Sequence, residues 1–311
     1  MLLRDKIVVV TRKTRLEELI ERFNTRKQAK FYIEHNGLDF SEYEKEHEVY
    51  TQALGKLTRE LSRFERRVQA IDWTFLPNFL FAPEDLVVTV GRDGLVVNTA
   101  KYLDRQLIVA VNPDPSRNDG ILLPFTADTA AAGVARVLES KAHRHEITMA
   151  EVKLNDGQHL LAVNDFYIGQ RTHISSRYSL TWHRHTERQS SSGVLVSTGA
   201  GSTGWLSSTQ NMAAAVTSLL EGKRHELPRL RLSWEDPRLV FVVREPFRSR
   251  ASNIRLAAGM IDAAEELQLE SHMPDGGVIF SDGVEADALA FNAGTVATIR
   301  AADRKTHLVA A

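Results

Sequence analysis

Ser190-Ser-Ser-Gly-Val-Leu-Val-Ser-Thr-Gly-Ala-Gly-Ser-Thr-Gly-Trp-Leu-Ser-Ser208 runs from a short apolar strand into a turn of glycines and hydroxyls, then into the polar start of a helix. Three glycines, Gly199, Gly201 and Gly204, are interleaved with the hydroxyls of Thr198, Ser202 and Thr203. Glycine lets backbone N–H groups approach a ligand with no Cβ in the way. A helix that opens at such a turn aims its positive end at negative charge. The stretch predicts a seat for something phosphorylated or carbonyl-bearing.

Gly199 to Gly204 also fits G-x-G-x-x-G between a strand and a helix, the form of a dinucleotide fingerprint. That fingerprint needs a further strand soon after the helix, ending in an acidic residue for a ribose hydroxyl. Here the polar run from Glu221 to Arg229 follows, and no apolar run returns before Leu239. The neighbouring segments alternate apolar and polar residues, as antiparallel strands do. A dinucleotide-type parallel unit is therefore the poorer reading. A P-loop is excluded, because no Gly-Lys-Ser/Thr follows.

Working outward, the alternating runs Glu146–Leu154, His159–Val163, Arg177–Trp182 and Val194–Ser197 predict a sheet-rich second half, with Asn155-Asp156-Gly157 as a hairpin turn. Leu239–Val243, Ile254–Ala257, Gly277–Phe280 and Val296–Arg300 extend it, and one helix interrupts it over about Ser207–Leu220. The first half has another texture. Lys6–Val10, Leu86–Val90 and Leu107–Val111 are near-continuous apolar runs, the pattern of parallel strands covered on both faces. Helical spacing predicts helices over Leu16–Phe31, Gln52–Ile71 and Leu95–Leu103. The expected architecture is an α/β N-terminal domain with a parallel sheet over residues 1–125, its last element returning at 300–311, plus a C-terminal β-rich domain over 126–300.

A net charge of -1 gives no bulk attraction for nucleic acid or membrane, so neither is expected as a partner. With no cysteine there is no disulfide, no thiolate metal site and no cysteine nucleophile. No apolar run approaches a membrane span, and the start of the chain lacks a signal-peptide core. A cytoplasmic location is the expectation.

Val90-Gly91-Arg92-Asp93-Gly94 places one carboxylate between glycines at the carboxyl end of a strand, where open α/β sheets bind ligands. The plain alternative is a β-turn in which the aspartate serves its own backbone. Asn164-Asp165 ends an apolar strand and is either a turn or a reader of a base edge and ribose hydroxyls. Asp282-Gly283 carries the same two readings. His183 and His185, like His143 and His145, are spaced to share one strand face, but no third ligand is marked nearby for zinc.

In this order and at these separations, Gly91–Gly94, Asn164-Asp165, Ser197–Thr203 and Asp282-Gly283 resemble the motifs of the NAD kinase family. Val111-Asn-Pro-Asp-Pro-Ser-Arg-Asn-Asp-Gly120 is similar to a segment of the family's mitochondrial-type branch and its bacterial relatives, as are Asn164–Gly169, Ser175-Ser-Arg177 and Ser191-Ser-Gly193. The likeness runs over nearly the whole chain. It implies the NAD kinase and diacylglycerol kinase-like fold, and a phosphotransferase that converts NAD to NADP at the adenosine-ribose 2′-hydroxyl. The implied substrates are ATP, or another phosphoryl donor, and NAD or NADH. Mg²⁺ or another divalent metal is implied as cofactor, and the state implied is a homo-oligomer, dimer or tetramer.

Carried onto this sequence, the resemblance makes Asp93 the base for the attacking hydroxyl, with Gly91, Arg92 and Gly94 at the phosphates. Asn164 would meet the adenine edge and Asp165 the ribose. Thr198, Gly201, Ser202, Thr203, Gly204, Trp205 and Ser208 would form the NAD pocket, and Asp282 would complete it. Arg92 stands where the family has a glycine, and Leu95 where it has a threonine. Arg92 either blocks the approach to phosphate, grips phosphate bidentately, or points to solvent. Two further readings stay open: a non-catalytic NAD(P) sensor, and a kinase of the same superfamily with another hydroxyl acceptor.

Overall fold

The computed structural model describes residues 5–224 and 228–311. Two compact units account for the chain: residues up to His145 together with His307–Ala311, and Glu146–Thr306.

Unit 1 begins with β1 (Lys6–Thr11). A capping box follows: Thr14 accepts from the Glu17 N–H while the Glu17 carboxylate takes the Thr14 N–H, which starts α1 (Arg15–Phe23). Asn24, at φ 63, ends α1, and Thr25 caps α2 (Arg26–His35). The helix expected over Leu16–Phe31 is therefore two helices broken at a left-handed residue. After α3 (Ser41–Leu61) comes β2 (Arg67–Asp72), so the helix expected over Gln52–Ile71 stops at Leu61. A 3-10 turn over Ser62–Phe64 and Glu65 at φ 47 reverse the chain. The apolar spacing runs on across that break by coincidence, and Val68 and Ile71 pack from a strand.

Next come β3 (Leu86–Val90), α4 (Asp93–Ala100), β4 (Leu107–Asn112), β5 (Phe125–Thr126) and α5 (Ala130–Leu138). The strands pair in parallel in the order β2-β1-β3-β4, with β5 on the end of β4. Ile7, Val9, Val88, Val90, Val109 and Val111 bury one face of this sheet beneath Leu57 and Leu61 of α3 and Val134 of α5. Both faces of β3 and β4 are buried, which explains their unbroken apolar runs.

Unit 2 contains β6 (Arg144–Leu154), whose first two residues fall in unit 1, then β7 (His159–Ala162), β8 (Asp165–Gln170), β9 (Ser176–Trp182), β10 (His185–Ser191) and β11 (Val194–Ser197). It continues through α6 (Trp205–Glu221), β12 (Leu239–Val243), β13 (Ala258–Ile261), β14 (Leu267–Ser271), β15 (Gly277–Ser281), β16 (Val284–Ala290) and β17 (Val296–Val309), whose last residues belong to unit 1. One sheet runs β10-β9-β14-β17, with β6 on β17 and β7 on β6; the other is antiparallel, β13-β12-β11-β8-β15-β16. Their inward residues, among them Phe166, Ile168, Tyr178, Leu180, Phe241 and Ile299, form one core. The strand expected over Ile254–Ala257 lies instead at Ala258–Ile261, the stretch that pairs with β12. His183 has φ 47 and Arg184 φ 64, so His183 sits in the β9–β10 turn and shares no strand face with His185.

The fold is an α/β unit with a parallel sheet and a β-rich unit of antiparallel strands. Among the described residues no helix is long and apolar enough to cross a membrane.

Candidate functional site

In unit 1 the carboxyl end of β3 delivers Gly91, and α4 opens with Asp93 as its first residue and Arg92 as an N-cap without a side-chain bond. The Leu122 N–H donates to Asp93 Oδ1 at 2.6 Å. A Cβ on Gly91 would stand 2.9 Å from Cδ2 of the buried Leu95, so a larger residue there would displace the end of that side chain. Nothing comes within 4 Å of a Cβ built on Gly94, which leaves that peptide open.

The Arg92 guanidinium lies 4.0 Å from the Glu46 carboxylate of α3, which also pairs with Arg15. With Gly91, Arg12, Lys13, Asp114 and Arg117, Arg92 lines a cavity of about 120 Å³. The cavity sits past the carboxyl ends of β1, β3 and β4, the usual ligand edge of a parallel sheet. Its cations are already matched, Arg12 by Glu18, Lys13 by Glu21 and Arg117 by Glu42. A polyanion entering here must exchange with carboxylates.

In unit 2 three of the predicted motifs meet at one peptide. Asp282 occupies the β15–β16 turn at φ 54, followed by Gly283 at φ 72, the pair of left-handed residues an Asp-Gly hairpin requires. Its carboxylate accepts the N–H groups of Val163 at 3.0 Å, Asn164 at 2.7 Å and Asp165 at 3.3 Å. The Asp282 N–H returns a bond to the Asp165 carbonyl. On the other side, the Thr198 N–H donates to the Asn164 carbonyl at 2.9 Å, and the Thr198 hydroxyl donates to the Val163 carbonyl. A Cβ on Gly201 would lie 2.2 Å from the Asn164 carbonyl oxygen, and one on Gly199 would lie 1.8 Å from that of Ser233. These two glycines admit other segments of the chain's own backbone.

The Asn164 backbone is thus saturated, while no hydrogen bond to the described residues engages the Asn164 or Asp165 side chain. Burial, joined by the Asp282 charge, pushes the Asp165 carboxyl up to about 7. Ser202 spends its hydroxyl on the Gly199 carbonyl at 2.7 Å, and its N–H on the same group. Thr203 is half-buried; Gly204 and Ser208 are exposed. Trp205 starts α6, which has no side-chain cap, so its first N–H groups are left for another acceptor.

Trp205 also belongs to an aromatic wall that the sequence reading missed. Tyr167, two residues along β8 from Asp165 and on the same face, stacks on Trp205 with ring centroids 5.9 Å apart and on Phe280 at 5.0 Å. The Arg244 guanidinium lies 5.1 Å from the Trp205 ring and 5.8 Å from Tyr167. These four line a cavity of about 430 Å³, with Arg171 and Glu285 among its polar groups. The period-2 rule applied outward from Asp165 would have found Tyr167. Arg244 carried no local signal.

Among the described residues no group of three His, Asp or Glu side chains could hold a metal ion. Magnesium, which keeps several waters and is usually held by only one or two carboxylates together with substrate phosphates, does not require such a group.

No protein-family model matches the chain, and no curated protein matches it in sequence. Solved structures share its fold. The yeast NADH kinase complexed with NADH superposes with a TM-score of 0.59 over 98% of this chain and 83% of that one, at 15% identity. An NAD kinase from Archaeoglobus fulgidus in complex with ATP gives 0.58 over 97% of this chain and 92% of that one, at 16% identity. At such identities the likeness is one of fold.

Proposed function

We propose that the chain is an NAD kinase, transferring the terminal phosphoryl group of a nucleoside triphosphate to the adenosine-ribose 2′-hydroxyl of NAD or NADH. The observation that carries this reading is the meeting of three sequence-distant motifs at the Asn164 peptide, with Asp282 binding it from 118 residues away. That arrangement leaves an amide and a carboxyl, Asn164 and Asp165, free to read a base edge and a ribose. The shared fold of an NADH kinase and an NAD kinase supports it.

Phosphoryl transfer asks little covalent chemistry of a protein; it asks for in-line positioning and stabilised charge. Asp93 takes the proton of the attacking hydroxyl through Oδ2, while Oδ1 stays on the Leu122 N–H. The Gly94 peptide and the start of α4 offer backbone N–H groups to phosphate oxygens. Arg92 leaves Glu46 to grip phosphate as the donor enters. Asn164 pairs with adenine, and Asp165 accepts from ribose hydroxyls, which favours its ionised form. The α/β unit takes the donor, and the β-rich unit, Glu146–Thr306, takes NAD. The divalent cation is carried on the donor's phosphates as part of that substrate. A cytoplasmic homo-oligomer is the form in which we expect the protein to act.

The test is a donor-by-acceptor screen: NAD and NADH against ATP, other triphosphates and polyphosphate, read by the 2′-phosphorylated product. Formation of NADP or NADPH with any donor supports the reading; none with all donors rejects it.

A further inference from the structure

We infer that Asn112 is a positioning residue for the proposed reaction: it closes the loop from 112 to 123 so that the Leu122 backbone N–H orients the Asp93 carboxylate. The inference rests on the kinase reading for its catalytic meaning, and on unit 1 alone for its geometry.

Asn112 is the last residue of β4 and is 5% exposed. Its amide is spent inside the loop that follows. Oδ1 accepts the Asp114 N–H at 3.0 Å and the Asn118 side-chain amide at 3.4 Å, and Nδ2 donates to the Asn118 carbonyl at 3.1 Å. One buried side chain thus ties the loop's start to its middle. The returning strand of the loop is laid against the same amide. Gly120 has φ +62, and a Cβ there would sit 2.6 Å from Asn112 Nδ2, so only glycine permits that approach.

From Gly120 the chain turns at once, with the Leu123 N–H on the Gly120 carbonyl at 3.0 Å. Leu122 and Leu123 are both buried, at 4% and 6% exposure, which fixes the turn's orientation. Its product is a single N–H aimed at Asp93 Oδ1, 2.6 Å away. A short acidic side chain has two rotatable bonds, and a hydrogen bond to one oxygen restricts the combinations open to them. The other oxygen is then presented within a narrower range of directions.

A buried asparagine that closes a loop is ordinary; this loop differs in what it delivers. Asn112 touches neither substrate nor Asp93, so its effect must pass through Leu122. That is measurable apart from stability. In the full-length protein, the amide proton of Leu122 is followed by NMR in wild type, Asp93→Asn and Asn112→Ala, beside kcat and KM for NADP formation. A strong N–H to carboxylate bond moves the amide resonance downfield, so both substitutions should shift it upfield. Asn112→Ala should also lower kcat about 10- to 100-fold, the scale expected for a misplaced catalytic group, with each KM within about twofold.

An unmoved Leu122 resonance in Asn112→Ala, an unchanged kcat, or an effect confined to KM would each overturn the inference. If Asn112→Ala fails to fold, Asn112→Ser, which retains a short hydroxyl acceptor near the start of the loop and removes the donation to the Asn118 carbonyl without adding charge, is read by the same criteria. Wild-type protein that makes no NADP overturns the kinase reading instead, and the Leu122 resonance still decides whether Asn112 governs the contact with Asp93.

Discussion

At Asp165, burial and the charge of Asp282 hold the carboxyl's affinity for protons near neutrality, at about 7 against an ordinary 3.8. Between those two values the folded chain keeps a proton that the unfolded chain has lost, so stability falls as pH climbs from about 4 to about 7 and levels off above. Asp165→Asn removes that term. Its melting temperature should exceed wild type's by several degrees at pH 8 and match it at pH 4, as scanning calorimetry can check. Equal differences at both pH values would contradict the assignment. Asp93→Asn belongs to chemistry. NADP formation should fall by about a thousandfold or more with NAD affinity little changed, whereas a non-catalytic sensor would show no activity to lose. Two glycines separate backbone packing from open space. Gly201→Ala forces a methyl onto the Asn164 carbonyl and should destabilise by about 3 kcal/mol or more in urea titrations, while Gly94→Ala should cost under about 1 kcal/mol.

Among the elements, the β15–β16 hairpin does more than end a sheet. Its Asp282 carboxylate is the acceptor for three consecutive N–H groups at the entry to β8. Asp282→Ala leaves them without that partner and should cost about 3 kcal/mol; Asp282→Asn, which keeps one oxygen and tolerates the left-handed turn, should cost less. Denaturant midpoints of the two variants test that order. The runs Leu86–Val90, Leu107–Val111 and Leu239–Val243 were legible in the sequence because each is apolar throughout and bounded by turn residues. β2 was not, since Val68 and Ile71 continue a helical spacing and the reversal at Glu65 rests on a backbone angle. The site was legible as motifs and opaque as roles. Gly199 and Gly201 read as openings for a ligand, yet the Ser233 and Asn164 carbonyls that fill those spaces are contributed by segments remote from the turn. The full engagement of Asp282 was equally hidden, because its partners lie 117 to 119 residues away.

Among the described residues each unit has a large apolar core of its own, with a smaller cluster beside it. Three of the four tryptophans, Trp182, Trp205 and Trp234, lie in unit 2, whereas α1 to α5 lie in unit 1. Fluorescence should therefore follow unit 2 and helical circular dichroism mostly unit 1. Val88→Ala, a cut in the unit 1 core, should lower the dichroism midpoint and leave the fluorescence midpoint nearly in place. Equal shifts in both would mean that the cores melt together.

β17 has a consequence for how the protein is made. His307 and Leu308 pair in parallel with Leu107 and Ile108 of β4, and Val309 is fully buried in the first core. The Ala310 N–H meets the His143 carbonyl, and Arg136 reaches the Ala310 carbonyl. While the ribosome is still translating the β-rich half, β4 is without this neighbour, and an exposed parallel edge invites pairing with other nascent chains. Unit 1 is begun before unit 2 and completed after it.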